Sequence, residues 1–530
     1  MARFFNTEGP VDARKHYCLP ALSRLDLPDV LSLIEREKYF VLHAPRQTGK
    51  TTCMLALMEY LNREGRYRCL YANFEVAQSA REDVRRGIRA ILGEIGSRAR
   101  HTLGDPIPLD AMGPLLDQYG EDAALNALLT QWAETGPRPL VLLVDEIDSL
   151  VGDTLIAVLR QLRAGYDKRP RLFPQSVVLC GVRDVKEYRI HSDREKAVIT
   201  GGSAFNIKAK SLRLGDFSQE EMTALYRQHA EETGQVFEGE AIEVAWELTR
   251  GQPWLVNALA YEACFEMPGT QDRSSPITGA TIEEAKERLI LYRVTHLDQL
   301  ADKLREDRVR RVVEPMLRGG DFDRPPTADD LEYAIDLGLV RRGPAGPEIS
   351  NPIYREVIPR ELTQIVQSNI ESIVTPLWYV TADGRLDMMK LMAGFQDFFR
   401  ENSEAWLERF DYKEAGPQLL LQAFLQRVVN SSGRIGREYG LGRGRADLLV
   451  MWRHPGGVQK AVVELKILRK SLKRTIAEGV RQTAEYMDRC GVSIDGHLVI
   501  FDRDPAKSWD AKVFQRTETF EGKTIQVWGM

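Results

Sequence analysis

A segment with the composition of a phosphate-binding loop lies at residues 44–51, where the chain reads APRQTGKT. It matches the pattern GxxxxGK[ST] except that Ala44 replaces the first glycine, and it follows a short apolar stretch and precedes a predicted helix. Backbone N–H groups of such a loop cradle phosphates, while the lysine reaches the β- and γ-phosphates and the threonine hydroxyl ligates Mg²⁺. We therefore predict a nucleotide site, with Lys50 and Thr51 in those two roles. The loop residues predicted to bind nucleotide are Ala44, Pro45, Arg46, Gln47, Thr48, Gly49, Lys50, Thr51 and Thr52.

Two adjacent acids end a continuous apolar run at VLLVDEID, residues 141–148. An acid at the carboxyl end of a parallel strand can lie beside a phosphate loop and hold Mg²⁺ through water. Asp145 is predicted in that role, and Glu146 is predicted to polarise the water that attacks the γ-phosphate. The alternative, two solvated acids at a strand end, is disfavoured because the phosphate loop precedes them in the chain.

An arginine follows a further apolar run, VVLCGVRDV. Arg183 would reach the same sheet edge and could sense the γ-phosphate, although an ordinary surface arginine fits the pattern nearly as well. Arg46, inside the loop, is a second basic candidate for a contact to phosphate or to a neighbouring subunit.

Charged residues interrupt another apolar strand, AVVELKI at residues 461–467. Side chains two apart in a strand point to one face, so Glu464 and Lys466 would lie side by side and partly buried. A hairpin through RHPGG would bring Asp447 opposite this strand, where facing side chains lie about 5 Å apart. Asp447 and Glu464 could then share one Mg²⁺ or Mn²⁺, with Lys466 stabilising charge on a phosphodiester. The alternative is a structural ion pair without a metal.

Composition and charge set the broad class of the protein. The chain has 530 residues, 43% hydrophobic and 28% charged, with a net charge of −5, which suits a soluble protein of two to four domains. Residues 431–490 carry 13 basic and six acidic side chains, so a basic segment is attached to an acidic remainder, as expected if this segment touches nucleic acid. Six scattered cysteines without a CxxC pair, no apolar run long enough to span a bilayer and no apolar signal core favour a cytoplasmic protein without a membrane partner.

Alternating apolar strands and helices predict an α/β fold, in which a P-loop NTPase with a parallel sheet is followed by a helical lid, a winged helix and an α/β restriction-endonuclease-like domain. The visible basic residues of the winged-helix segment, Arg341 and Arg342, are few. The predicted domains are a P-loop core at 1–215, a lid at 216–300, a winged helix at 301–363, a helical linker at 364–415 and a nuclease-like domain at 416–530.

Residues 1–363 resemble the signal-transduction ATPases with numerous domains, the STAND ATPases, in their prokaryotic AAA-like branch. The motifs that carry the resemblance are APRQTGKTT, VLLVDEID, GVRD, SAFNIKAKSLRLGDFS, RGQPWLVNALA and NPIYREVIPREL. In that family the GQP motif lies in the lid and its proline contacts the base, which implicates Gly251, Gln252 and Pro253. The resemblance also implies that ADP/ATP exchange moves the lid and the winged helix, with homo-oligomerisation.

The arrangement D…ExK over about 416–530 resembles the PD-(D/E)XK nuclease superfamily, through GRGRADLLV, VVELKI and QTAEY. In the similar branch a glutamine and a tyrosine on the next helix flank the site, and Gln482 and Tyr486 match them, four residues apart. Two positions depart from the pattern: Ala446 replaces the proline, and the preceding helix carries glutamines where a glutamate is common, with Glu438 as a substitute acid. Those glutamines are Gln418, Gln422 and Gln426.

These observations predict an ATP-switched, divalent-metal-dependent nuclease. The resemblance favours DNA as the nucleic acid that it cuts, and family analogy suggests antiviral defence. A signalling or DNA-binding protein with a non-cleaving nuclease-like domain remains the first alternative. An ATP-driven motor on nucleic acid is the second, without a helicase motif to support it.

Overall fold

In the computed structural model the described residues are 3–184, 189–192, 197–200, 205–291, 302–317, 326–344, 346–359, 379–407, 416–429, 433–437, 448–468, 471–504 and 506–530. Contacts divide the chain into two units. The first comprises Met1–Leu289 with Asp336–Gly338, and the second comprises Ile290–Ile335 with Leu339–Met530. The five domains expected from the sequence are a finer division and remain a prediction.

Within the described residues, the first unit contains nine strands and most of the helices. Its strands are β1 Phe4–Phe5, β2 His16–Tyr17, β3 Tyr39–His43, β4 Arg68–Asn73, β5 Leu140–Asp145, β6 Ser176–Gly181, β7 Arg189–Ser192, β8 Ala197–Thr200 and β9 Lys208–Arg213. Its helices are α1 Leu27–Glu35, α2 Lys50–Glu64, α3 Val84–Leu103, α4 Ile107–Tyr119, α5 Glu121–Thr135, α6 Gly152–Ala164, α7 Gln219–Thr233, α8 Gly239–Thr249, α9 Pro253–Tyr261 and α10 Gly279–Leu291, whose last residues pass into the second unit.

A five-stranded parallel sheet with the order β4-β5-β6-β3-β9 organises this unit. Alternate residues of β5 pack into two different hydrophobic clusters, with Leu142 in one and Leu143 in the other, so helices cover both faces. Because all five strands run in the same direction, the segments that follow β3, β5 and β6 emerge at one edge. The parallel P-loop NTPase sheet predicted from the sequence is therefore confirmed.

The second unit contains a six-stranded mixed sheet near its C-terminus. Its helices are α11 Asp307–Leu317, α12 Ala328–Asp336, α13 Met388–Leu407, α14 Gly416–Val429, α15 Leu472–Cys490 and α16 Trp509–Lys512. Its strands are β10 Val340–Gly343, β11 Gly346–Ile349, β12 Gly433–Arg437, β13 Leu448–His454, β14 Gly457–Ile467, β15 Gly496–Phe501, β16 Phe514–Phe520 and β17 Lys523–Gly529.

The mixed sheet has the order β12-β13-β14-β15-β17-β16. The strands β12, β13 and β14 pair antiparallel, and β15 then joins β14 in parallel after the crossover helix α15. The sequence predicted β13, β14, α15 and β15 with nearly these bounds. It did not predict β12 or the terminal hairpin of β16 and β17, which complete the two edges of the sheet.

The segment expected to form a winged helix contains α11, α12 and the antiparallel hairpin of β10 and β11, followed by a helix at 352–359. Its two predicted basic residues both pair with acids. Arg341 forms a salt bridge of 2.6 Å with Glu348, and Arg342 bonds to Glu332. These pairs leave little net positive charge on the hairpin.

Candidate functional site

The phosphate loop connects β3 to α2, and its backbone conformation depends on residues with positive φ. Gln47 has φ of 58° and Gly49 has φ of 90°, and Gly49 is also the residue that precedes α2. The Thr48 hydroxyl donates to the Pro45 carbonyl at 2.9 Å, which closes the turn. The buried Lys50 ammonium donates to the carbonyls of Ala44 and Pro45, at 3.0 and 2.9 Å. The loop therefore has the strand–loop–helix setting that its motif requires.

The Asp145 carboxylate lies at the end of β5 and is completely buried. The Thr51 hydroxyl donates to its Oδ2 at 2.7 Å, and the Tyr71 hydroxyl donates to the same oxygen at 3.0 Å. The backbone N–H of Glu146 donates to Oδ1 at 2.9 Å. Thr51 and Asp145, the two predicted Mg²⁺ ligands of the nucleotide site, are thus in contact, and their hydroxyl and carboxylate oxygens suit that ion.

Glu146 follows directly, in a left-handed backbone conformation with φ of 52°. Burial raises the pKa of its carboxyl group above the ordinary value, and the nearby Asp148 and Asp145 raise it further. A carboxylate whose pKa is raised is a stronger base than an ordinary glutamate. The general-base role of Glu146 stays a prediction.

Arg183 follows β6 and is buried, as a phosphate sensor at this edge would require. Its Nε donates to Oδ2 of Asp336 at 3.3 Å, within the first unit. The side chain is therefore engaged by a carboxylate through its Nε. Its role as a sensor stays a prediction.

The GQP motif forms a tight turn before α9. Gly251 has φ of 80°, and a Cβ there would lie 2.0 Å from the Phe217 carbonyl oxygen, so only glycine fits. Pro253 lines a pocket together with Thr48 and Gly49 of the phosphate loop, and its contact with the nucleotide base stays a prediction. Gln252 does not line this pocket, because its side-chain oxygen accepts the N–H of Leu255 at 2.6 Å and caps α9.

Several residues of this pocket, from the N-terminal segment and the start of α9, were not predicted from the sequence. The Trp254 indole donates to the Thr7 carbonyl at 3.0 Å, and the Val11 N–H donates to the Thr52 hydroxyl at 3.2 Å. These contacts join residues far apart in the chain, so no local pattern signals them. The adjacency of Trp254 to the GQP motif was the one available hint.

In the second unit, Glu464 and Lys466 lie in β14, a central strand of the mixed sheet. The Lys466 ammonium donates to Oε1 of Glu464 at 2.5 Å, and their side chains are 15% and 0% exposed. A fully buried carboxylate costs several kcal/mol of desolvation unless it is paired, so the Lys466 ammonium offsets part of the cost of burying Glu464. The predicted side-by-side placement is therefore present.

The two charges point to the side of the sheet covered by α15. Val462, two residues before Glu464 and on the same face, packs in one cluster with Ile476 and Val480 of α15. Glu464 also pairs in register with Leu498 of β15, and a Cβ at Gly479 of α15 would lie 2.6 Å from the Leu498 side chain. The helix that carries Gln482 and Tyr486 therefore covers the face of Glu464 and Lys466.

Gln482 and Tyr486 lie three and seven residues after Gly479, on the same stripe of α15, and both are buried. Within the described part of the chain, Oε1 of Gln482 has no hydrogen-bond partner. Burying an amide oxygen without a hydrogen-bond partner lowers the stability of the fold, so a group of this kind calls for a specific reason.

Some of the other residues predicted for the nuclease site lie outside the described residues. Asp447 and Glu438 both fall outside them. The register of the described strands, with Leu448 of β13 opposite Val463 of β14, is the register that the Asp447–Glu464 hypothesis requires. Gln418 and Gln422 of α14 are buried, at 3% exposure each. Among the described residues no group of three or more His, Cys, Asp or Glu side chains could hold a metal.

A comparison with known protein families gives a match within the first unit. Residues 34–188 match a family profile described as an AAA domain. A search of curated proteins gave no significant match. Within the described residues, no helix is both long enough and apolar enough to cross a membrane.

Three solved structures are similar over most of their length. The Walker-type ATPase paby2304 of Pyrococcus abyssi is 15% identical with a TM-score of 0.46, covering 67% of this chain and 99% of that one. The RuvB Holliday junction branch migration motor of Thermotoga maritima is 14% identical with a TM-score of 0.33, covering 64% and 93%. Cdc6p of Pyrobaculum aerophilum is 15% identical with a TM-score of 0.34, covering 66% and 93%.

The family match spans β3, the phosphate loop and the strand that ends in Asp145, which are the elements that build the nucleotide site. Residues 34–188 are therefore an AAA domain, and the chain carries a P-loop ATPase of that type.

Proposed function

We propose that the chain is an ATP-switched, divalent-metal-dependent nuclease that cleaves DNA. The observation that carries the nuclease half is the buried Glu464, bonded at 2.5 Å to Lys466 in a central strand and covered by the helix that bears Gln482 and Tyr486. A carboxylate and an ammonium on one face, beside a polar helix stripe, are the groups that metal-assisted phosphodiester hydrolysis uses.

In this proposal Asp447 and Glu464 hold the metal. A Mg²⁺ or Mn²⁺ ion bound there would activate water and neutralise charge on the scissile phosphate. Lys466 orients the water and stabilises the added charge, and Gln482 uses its amide to position substrate or water. The described residues supply one carboxylate of this donor set, so a complete site depends on Asp447 as the second ligand.

The ATPase half would act as the switch. Lys50, Thr51 and Asp145 bind nucleotide and Mg²⁺, and Glu146 activates the attacking water. Following the STAND resemblance, we propose that exchange of ADP for ATP moves the lid and winged helix, promotes homo-oligomerisation and licenses cleavage. Defence against foreign DNA in the cytoplasm is the setting that this combination suits.

A non-cleaving, DNA-binding or signalling role is the second candidate. It is favoured by one observation: the helix before the sheet, α14, carries buried Gln418 and Gln422 where a glutamate is common. A site with one acid fewer binds a divalent metal more weakly.

A metal titration separates these two candidates. Without nucleotide, we expect the full chain to bind Mn²⁺ through the nuclease site, measured by calorimetry. The variant Glu464→Gln should lose that binding, whereas Glu518→Gln, at a half-buried position on the edge strand β16, should keep it. Equal Mn²⁺ binding by Glu464→Gln and the unchanged chain would exclude the proposed metal site.

A further inference from the structure

An arginine that the nucleotide chemistry does not yet use lies against the phosphate loop. Arg24 ends the short 3₁₀ helix Ala21–Arg24, lines the same pocket as Gly49 and Pro253, and stacks over the Phe217 ring at 4.7 Å. Burial lowers its pKa. Its guanidinium donates to two backbone carbonyls, one on Thr48 of the phosphate loop and one on Gly215 at 2.6 Å.

The bond to Thr48 fixes the orientation of one peptide group in the loop. In a trans peptide the C=O and N–H bonds point in opposite directions, so a carbonyl held by Arg24 directs the Gly49 N–H away from Arg24. Gly49 lacks the Cβ that would restrain rotation of this peptide, and its φ of 90° is a conformation that other residues rarely adopt. A side chain that holds the Thr48 carbonyl therefore replaces the missing steric restraint.

The space around Gly49 agrees with this dependence. A Cβ at Gly49 would lie 2.8 Å from Nη1 of Arg24, so the guanidinium occupies the volume that a side chain would need. The second bond, to Gly215, joins the loop to the segment that leads into the lid. In that segment the Phe217 N–H donates to the Gly251 carbonyl at 2.8 Å, at the GQP turn.

We propose that Arg24 is a positioning residue for nucleotide binding. It holds the Thr48–Gly49 peptide so that the Gly49 N–H is available to a nucleoside di- or triphosphate, and it ties this peptide to the lid turn. The proposal rests on the nucleotide half of the proposed function and is independent of DNA cleavage.

The test is ADP and ATP binding by the full chain without DNA, measured by calorimetry. The variant Arg24→Met keeps an unbranched stem over Phe217 but removes the donors, and Arg85→Met, at an exposed arginine of α3, is the control. We expect Arg24→Met to bind both nucleotides about tenfold more weakly, the size of one charge-assisted hydrogen bond, and the control to be unchanged. The ATPase KM should rise by a similar factor while kcat changes little, a split that general destabilisation does not produce.

Salt dependence distinguishes peptide orientation from direct attraction of phosphate. If Arg24 acts through the peptide, the ratio of wild-type to variant affinity should be the same at low and high salt, whereas a direct charge effect would shrink with screening. Affinity within about twofold of wild type, or a penalty that disappears at high salt, would overturn the proposal. If Arg24→Met does not fold, Arg24→Lys, which keeps one donor, should show an intermediate loss, and wild-type affinity in that variant would also overturn it. Failure of the unmodified chain to bind ADP would instead remove the nucleotide role itself.

Discussion

Replacing Glu146 by Gln is expected to lower kcat for ATP hydrolysis by at least about 100-fold, while ATP binding changes little. Glu146 follows the fully buried Asp145, which is already engaged by Thr51, Tyr71 and the Glu146 backbone N–H. Both oxygens of Asp145 therefore already accept hydrogen bonds, and we expect Glu146 to be the carboxylate that accepts a proton from water. The amide of glutamine keeps the size of the side chain but cannot take that proton.

Steady-state ATPase kinetics of the full chain measure this effect, with the exposed Glu75→Gln as a matched control. Burial and the neighbouring acids raise the pKa of Glu146, so its basic form is lost as pH falls through that raised pKa. The unmodified enzyme should therefore lose kcat at a higher pH than a carboxylate of ordinary pKa would cause. A kcat for Glu146→Gln within about threefold of wild type would rule out the general-base role.

Replacing Lys466 by Met is expected to abolish DNA cleavage and to destabilise the mixed sheet by roughly 3–5 kcal/mol. The loss of stability follows because Glu464 has 0% exposure and loses the ammonium that lies 2.5 Å from its Oε1. Removing one member of a buried pair leaves the desolvation cost of the other uncompensated. Hydrogen exchange in β14 measures the local opening free energy in the full chain.

The double variant Glu464→Gln with Lys466→Met separates structure from chemistry. It removes both charges at nearly constant volume, so it should recover most of the stability that the single variant loses. A catalytic pair predicts that this stable protein still fails to bind Mn²⁺ and to cut DNA. If the double variant folds and retains Mn²⁺ binding, the pair is only a structural ion pair.

The strands that position both sites could be predicted because their sequence signals are local. Continuous apolar runs predicted β3, β5 and β6, and the loop motif predicted where β3 ends and α2 begins. The pair of strands β13 and β14 followed from two apolar runs around a Gly/Pro turn. If β3, β5 and β6 run parallel, their carboxyl ends meet at one edge of the sheet, and this topology alone predicts that Asp145 lies near Thr51.

Contacts between distant segments could not be predicted in the same way. Tyr71 bonds to Asp145 only because β4 and β5 are neighbours in register, and Arg24 reaches Thr48 from a separate 3₁₀ turn. Gln252 was expected at the nucleotide from the family motif, but its position before α9 gives its amide oxygen a capping role. A motif names residue types, whereas the backbone around them decides which partner each side chain takes.

Cleavage of plasmid DNA by the purified full chain tests the central claim most directly. With Mg²⁺ or Mn²⁺ and ATP, we expect nicked and linear products. The variants Lys466→Ala and Glu464→Gln should give neither product. Lys50→Ala should cleave less DNA or should cleave it without responding to ATP. Cleavage that persists unchanged in Lys466→Ala, or no cleavage with ATP, ADP or a non-hydrolysable analogue under conditions where the chain binds both nucleotide and Mn²⁺, would contradict an ATP-switched nuclease.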